Sequence, residues 1–150
     1  MIKKEDIKNW KLVEVIDDIE LIEETSQDYV ERILSELKIP TTNHTSTNRE
    51  FTEIDWQKMD NYFKFFFDNE VEEKLNEEAF RKSALSKKEN LIITYGWNEP
   101  PVKVSTQKFI EDWEGFIRST IWETIMFSED FELIMEVSRD YNLHSNFKIK

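Results

Sequence analysis

Hydrophobic residues recur at helical spacing in the first quarter of the chain. Between residues 16 and 37 they follow one another mostly at steps of three and four, which places them on one face of a helix. Thr25 and Asp28 have the spacing of a capping box, which would divide this region into two helices. Pro40 ends the pattern, because the residue before a proline is disfavoured in the helical conformation. The apolar positions are Ile16, Ile19, Ile22, Tyr29, Val30, Ile33, Leu34 and Leu37.

The most aromatic part of the chain also has helical spacing. Thr52 and Asp55 form a second candidate capping box, and the apolar residues that follow are Trp56, Met59, Tyr62, Phe63, Phe66 and Phe67. Residues 65–67 are all Phe, so this helix would be apolar on more than one stripe, and we expect it at the centre of the core. A thinner stripe predicts a surface helix after it, formed by Val71, Leu75, Phe80 and Leu85.

The second half of the chain mixes helical and extended patterns. Ser105 is a candidate N-cap for a long helix, whose apolar positions are Phe109, Ile110, Trp113, Phe116, Ile117, Ile121, Ile125 and Met126. Short apolar runs predict strands in "NLIITYGW" and "VKV". Residues 129–139 fit either a helix or a strand, and the turn-like "SED" before them favours a strand. "NFKI" offers a further extended piece.

The N-terminal segment "WKLVEV" reads as one more short strand, with Trp10 and Leu12 buried. Residues 41–50 are Thr, Ser, Asn and charged side chains with nothing apolar to pack, which predicts a polar loop. The pattern as a whole predicts an α+β fold. We expect a mostly helical single domain over residues 1–150, with a small antiparallel sheet from the C-terminal half.

The composition limits the class of protein. A chain of 150 residues, with 11 Phe and 5 Trp, can bury a substantial core. It contains no cysteine, which excludes disulfides and thiolate chemistry. The N-terminus lacks an apolar run of signal-peptide length, and no stretch approaches 18 apolar residues. We therefore expect a cytoplasmic protein.

The formal net charge of −12 has the strongest implication for function. It disfavours direct binding to nucleic acid or to anionic membranes and favours a basic partner. Residues 12–36 hold nine acids and a single base, Arg32. This stretch is either a solvated helix face or a docking surface, whose candidate residues are Asp17, Asp18, Glu20, Glu23, Glu24, Asp28 and Glu31. If a helix from the acidic region 50–78 lay beside it, the two would form one broad negative surface.

The loop "YGWNEPP" contributes the other candidate contact residues. Tyr95 and Trp97 lie in an irregular connection, where exposed aromatic side chains are common interface anchors. The alternative is that Trp97 covers the core beside the predicted sheet. Both interpretations stay open at this point.

No motif in the chain predicts catalysis, a metal site or a cofactor. His44 and His144 are far apart in sequence and match no zinc-binding spacing, so we expect surface or loop histidines. His144 next to Ser145 suggests a nucleophile and base, but no nucleophile-elbow motif surrounds the serine. Glycines at 96 and 115 alone exclude phosphate-binding loops. We therefore expect a protein that is not an enzyme.

The size, the absence of cysteine, the negative charge and the aromatic content resemble those of small bacterial immunity proteins that inhibit cationic nuclease toxins. The resemblance implies an inhibitor that covers a positively charged site with carboxylates. One alternative is a phage-type acidic inhibitor that mimics nucleic acid and binds a host DNA-binding protein. Another is a small-molecule-binding domain or an enzyme that uses carboxylates, for which a deep aromatic pocket with a perturbed carboxylate would be the sign.

Overall fold

Seven strands form one antiparallel sheet. The computed structural model describes residues 5, 7–42, 52–67, 73–119, 124–138 and 141–149. The strands in chain order are β1 (Glu20–Leu21), β2 (Phe63–Phe66), β3 (Asn90–Ile93), β4 (Val102–Ser105), β5 (Thr124–Ser128), β6 (Ile134–Val137) and β7 (Asn142–Ser145). Across the sheet the order is β1–β4–β3–β5–β6–β7–β2, so β1 and β2 are its two edges.

The described part of the chain forms five α-helices, and all are short. They are α1 (Trp10–Glu14), α2 (Ser26–Glu36), α3 (Glu73–Lys82), α4 (Thr106–Glu111) and α5 (Trp113–Arg118). Short 3₁₀ helices form at Ile16–Asp18, Trp56–Lys58 and Ala84–Lys87. Within the described residues, no helix has the length and apolar character needed to cross a membrane.

The sheet is covered on both faces, because successive strand residues point to opposite sides. On β5, Met126 packs in one apolar cluster while Ile125 and Phe127 pack in the other. The first cluster lies under α1, α3, α4 and α5. The second lies under α2 and residues 54–62. The sheet therefore forms the middle layer of three.

The prediction of a mostly helical domain with a small C-terminal sheet is wrong. Two stretches expected in helices contain strands, and one stretch expected as a strand is a helix. Residues 56–67 form a 3₁₀ turn and then edge strand β2. The long helix predicted from Ser105 is instead two short helices, α4 and α5, and strand β5 begins at Thr124. The segment "WKLVEV" forms helix α1 instead of a strand. Strand β5 is buried on both faces, which removes the apolar–polar alternation that identifies strands. Strand β2 lies at an edge and is largely exposed, and its pairing with β7 makes it a strand.

Other local predictions are confirmed. The Thr25 hydroxyl accepts from the Asp28 backbone N–H at the start of α2, and Ser105 caps α4 in the same way. Strands β3 and β4 match "NLIITYGW" and "VKV", and β6 lies within residues 129–139. The predicted polar loop and His44 fall largely or entirely on residues 43–51, outside the described residues.

A buried carboxyl group ties the second layer to the sheet. Glu136, on β6, is fully buried and faces α2 and residues 54–62. Its carboxyl oxygens accept hydrogen bonds from the backbone N–H of Glu53 at 2.7 Å, the backbone N–H of Ile54 at 3.1 Å and Trp56 Nε1 at 2.9 Å. The sheet thus supplies the acceptor for three donors of a segment that has no strand or α-helix to satisfy them.

His144 lies next to Glu136 in the sheet and is also fully buried. The expectation of a surface or loop histidine is wrong. Its Nδ1 is 2.9 Å from the Tyr62 hydroxyl, and its Nε2 is 2.9 Å from Ser138 Oγ. The rings of Trp56, Tyr62 and His144 are nearly parallel, with centroids 5.6–6.1 Å apart. We call Glu136, His144, Trp56, Tyr62 and Ser138 the buried polar cluster.

The stability of the fold should fall as the pH rises towards 8, because of Glu136. Burial raises the pKa of Glu136 from 4.5 to about 8, against the opposing effect of its three hydrogen-bond donors. Between these values the unfolded chain loses a proton that the folded protein keeps. The free energy of unfolding should then decrease by up to about 1.4 kcal/mol per pH unit. Urea unfolding measured from pH 5 to pH 8 tests this.

The control is Glu136→Gln, which cannot titrate and has only one oxygen for the three donors. Its stability should be lower at pH 5, and the gap to the unchanged protein should narrow as the pH rises. Parallel curves for the two proteins would contradict the assignment. Because the variant could fail to fold, the carboxyl ¹³C resonance of Glu136 in the unchanged protein gives the same pKa directly.

Candidate functional site

The predicted contact acids lie around the β1 edge of the sheet. Asp17 and Asp18 are in the 3₁₀ turn after α1, and Glu20 is in β1. Glu23 and Glu24 precede α2. Asp28 and Glu31 continue the series on α2 itself. Because α1 packs on one face of the sheet and α2 on the other, the series crosses the edge from face to face. We call these seven residues the acidic surface.

Helix α2 presents its acids outward because its other side is apolar. Tyr29, Val30, Ile33 and Leu34 are 3–4% exposed and fill the second cluster. Asp28 and Glu31 lie on the opposite side and are exposed. Asp28 is also in the first turn, where a negative charge interacts favourably with the helix dipole. The position of these two carboxylates follows from amphipathic packing.

Three of the seven acids are paired with cations. Asp18 is 2.8 Å from Lys108 Nζ, Glu20 is 3.1 Å from Lys103 Nζ, and Glu24 is paired with Arg32. Lys103 is also 3.1 Å from Glu129, so it serves two carboxylates. Lys103 and Lys108 come from β4 and α4, which shows that cations distant in sequence neutralise part of this charge.

The other four acids have no ion pair within the described part of the chain. Asp17, Glu23, Asp28 and Glu31 are all exposed. Glu31 receives only a 3.4 Å hydrogen bond from Gln27. The acidic surface therefore keeps an excess of negative charge that faces solvent, although it is smaller than the sequence alone suggests.

The loop at residues 96–101 joins the acidic surface, as a result of backbone hydrogen bonds. Gln27 N–H donates to the Trp97 carbonyl at 3.0 Å, and Ser26 N–H donates to the Glu99 carbonyl at 2.8 Å. Trp97 is half-buried beside the start of α2. The acidic surface and the loop at residues 96–101, which the sequence predicted as separate candidate contact regions, are thus neighbours.

Tyr95 belongs to the core. It is 3% exposed, and its hydroxyl donates to the Phe116 carbonyl at 2.6 Å. Burial raises the pKa of this hydroxyl well above its usual range. A partner could not reach Tyr95 without unpacking the domain, so we leave it out of the acidic surface and its neighbours.

The acidic region 50–78 does not extend the acidic surface. Its predicted helix over residues 56–67 is absent, and α3 lies on the face of the sheet opposite α2. Three of its described acids are paired: Asp55 with Lys58, Glu77 with Arg81 and Glu78 with Lys82. The idea of two acidic helices side by side is therefore wrong.

The buried polar cluster has the residue types of a catalytic site but no access. Glu136 and His144 are both 0% exposed, and the hydrogen bonds of His144 are made within the domain. Ser145 points to the other face of the sheet and donates to the Phe147 carbonyl at 2.7 Å, so it does not face His144. Glu136 was not among the predicted residues, although a lone acid inside the apolar run "LIMEV" indicates a buried carboxyl group.

A surface groove of about 460 Å³ lies between the start of α4 and the end of α3. Its cations are already paired: Arg81 with Glu77 at 3.8 Å, and Lys88 with Asp130 and Glu132. The hydroxyl of Thr106 is buried there without a hydrogen-bond partner. No aromatic side chain lines the groove among the described residues, and the perturbed carboxyl of Glu136 lies elsewhere.

Comparisons with known proteins leave the family of this chain open. No protein-family model matches it, and neither a curated protein nor a solved structure matches it.

Proposed function

We propose that this protein is an acidic interaction protein that binds a basic partner through the acidic surface. The specific form we propose is an immunity-type inhibitor of a cationic, nuclease-like toxin, acting in the cytoplasm. The observation that carries the proposal is the set of four exposed carboxylates, Asp17, Glu23, Asp28 and Glu31, that have no ion pair in the described part of the chain.

Unpaired carboxylates on an exposed edge have a clear physical use. They attract a positively charged protein over distances of about 8–10 Å at ordinary salt and disfavour acidic competitors. An inhibitor of a nuclease needs these properties, because the enzyme's own site is built to hold phosphates. The net charge of −12 acts in the same direction over longer range.

The geometry gives less support to an enzyme or a small-molecule-binding domain. Such a site would combine a deep aromatic pocket with a perturbed carboxylate. Here the perturbed carboxyl of Glu136 is sealed in the core, and the groove beside α4 holds cations that are already paired. A nucleic-acid mimic aimed at a host DNA-binding protein would use the same acidic surface, and the identity of the captured partner separates it from a toxin inhibitor.

Reversing the charge of the unpaired acids should weaken partner binding. The variant Glu23→Lys, Asp28→Lys, Glu31→Lys leaves every described ion pair of the fold intact. We expect its affinity for the partner to fall at least about tenfold, because favourable charge pairs become repulsive. The tagged full chain and the variant are used to capture proteins from the native cells, and mass spectrometry identifies those that only the unchanged chain retains. Calorimetry with the purified partner then gives the affinities.

A matched control carries the same charge change elsewhere. Asp60→Lys, Glu89→Lys, Glu111→Lys also replaces three exposed acids that have no ion pair among the described residues, and it likewise changes the net charge from −12 to −6. This control should bind nearly as well as the unchanged chain. If both triple variants bound equally, or if the retained partner were acidic, the proposal would fail.

Partner binding should also depend steeply on salt. Exposed charges are screened within about 3 Å at 1 M salt, compared with about 10 Å at 0.1 M. We expect the association rate to fall markedly between these conditions, while the dissociation rate changes less. Stopped-flow or surface-based kinetics with the purified partner would measure both rates. A salt-independent association rate would mean that the acidic surface does not steer the encounter.

A further inference from the structure

Helix α1 exposes two apolar side chains, one of which, Trp10, the sequence pattern placed in the core. Trp10 is 58% exposed and Val13 is 51% exposed. They are three residues apart and share the outer side of the helix, while Leu12 and Val15 on the inner side belong to the first cluster. An exposed Trp is unusual enough to suggest a binding role, because Trp is among the residues most enriched at interface hot spots.

The helix that carries Trp10 is held firmly. Lys11 is 3% exposed, and its ammonium group is paired with Asp112 and with Glu14 and lies 5.1 Å from the centroid of the Phe116 ring. Burial alone would lower the pKa of Lys11, but these two carboxylates raise it above its usual value. Asn9 caps the helix by accepting from two backbone N–H groups. Trp10 therefore projects from a helix that is anchored to the rest of the domain.

Two acids follow this apolar face along the chain. Glu14 lies one turn after Trp10 on the same side of α1, and its side chain is 60% exposed. Asp17 follows in the 3₁₀ turn, is exposed and has no ion pair in the described part of the chain. The indole ring of Trp10 therefore has acids on its C-terminal side, where the acidic surface begins.

We infer that the outer side of α1, formed by Trp10, Val13, Glu14 and Asp17, binds an arginine side chain of the basic partner. This inference rests on the proposed function, since it names the group through which that partner is recognised. The guanidinium stacks on the indole face of Trp10, the carboxylates of Glu14 and Asp17 accept its N–H groups, and Val13 contacts the aliphatic stem.

The charge of the site selects this occupant over others. A second copy of the chain would bring a molecule of net charge −12 against the same acids, and an anionic membrane would be repelled in the same way. Arginine is favoured over lysine because its planar group both stacks on an aromatic ring and forms paired hydrogen bonds with carboxylates. The chemistry therefore points to an arginine-bearing segment of a basic protein.

The test uses two peptides of equal charge, acetyl-hexaarginine amide and acetyl-hexalysine amide, with the full chain at low ionic strength. Calorimetry gives the affinities of the unchanged protein, Trp10→Ala and the control Phe66→Ala. Phe66 is an aromatic residue of similar exposure, 52%, on the opposite edge of the sheet. We expect Trp10→Ala to weaken hexaarginine binding about threefold to thirtyfold and to reduce the preference for arginine over lysine, while Phe66→Ala changes neither.

A spectroscopic readout accompanies the affinities. In the unchanged protein, the indole N–H resonance of Trp10, assigned by its loss in Trp10→Phe, should shift on addition of hexaarginine. Circular dichroism checks that each variant is folded. Equal binding by Trp10→Ala and the unchanged protein, or an unmoved indole resonance, would overturn the inference.

The variant Glu23→Lys, Asp28→Lys, Glu31→Lys distinguishes failure of this inference from failure of the proposed function. If that variant loses hexaarginine binding while Trp10→Ala does not, the inference about α1 is overturned and the acidic surface still stands. If neither variant differs from the unchanged chain, both the inference and the proposed function fail.

Discussion

The burial of strands β3, β5 and β6 on both faces is the constraint on which the rest of the fold depends. A strand with apolar residues on both faces has to be covered by two layers, because either face left open would expose a large hydrophobic patch. Four short helices cover one face, and their side chains Phe80, Phe109 and Phe116 pack against one another in sequence. On the other face α2 has only eleven residues, so the segment around Ile54 and Trp56 completes the cover.

Glu136 helps to determine where that segment lies. An unpaired carboxyl in the core would be strongly unfavourable, and three donors from residues 53–56 offset the cost. The same donors would be left without partners if the segment moved. Apolar contacts alone would tolerate a shift of the segment along the sheet, whereas this hydrogen-bond geometry does not. His144, Tyr62 and Ser138 extend the arrangement along β7. The polar cluster thus contributes specificity of packing, and Glu136 and His144 within it are not accessible to a partner.

The acidic surface is a consequence of the same architecture. The chain passes from one layer to the other at β1, where only two residues pair with the sheet, and its outward side chains there have no core to enter. Carboxylates at this position also discourage pairing with the edge of another sheet. Trp10 occupies the beginning of this crossing on a helix fixed by Lys11, and the loop at Trp97 occupies its end. Charge and apolar area are therefore adjacent on one edge of the molecule.

Local chemistry in the sequence was enough to predict the cap at Thr25, the amphipathic helix α2, the cap at Ser105, and strands β3 and β4. These features depend on neighbours within a few residues. Residues 63–66 and 124–128 were beyond such reasoning, because their apolar residues fit a helix and a strand equally well. Pairing with distant strands decides between the two: β2 pairs with β7 at the edge of the sheet, and β5 lies between β3 and β6. The acids of residues 17–31 were evident from composition. Only the tertiary structure decided which of them stay unpaired, since Lys103 and Lys108 approach from distant elements, and only it placed Trp10 outside the core and Glu136 within it.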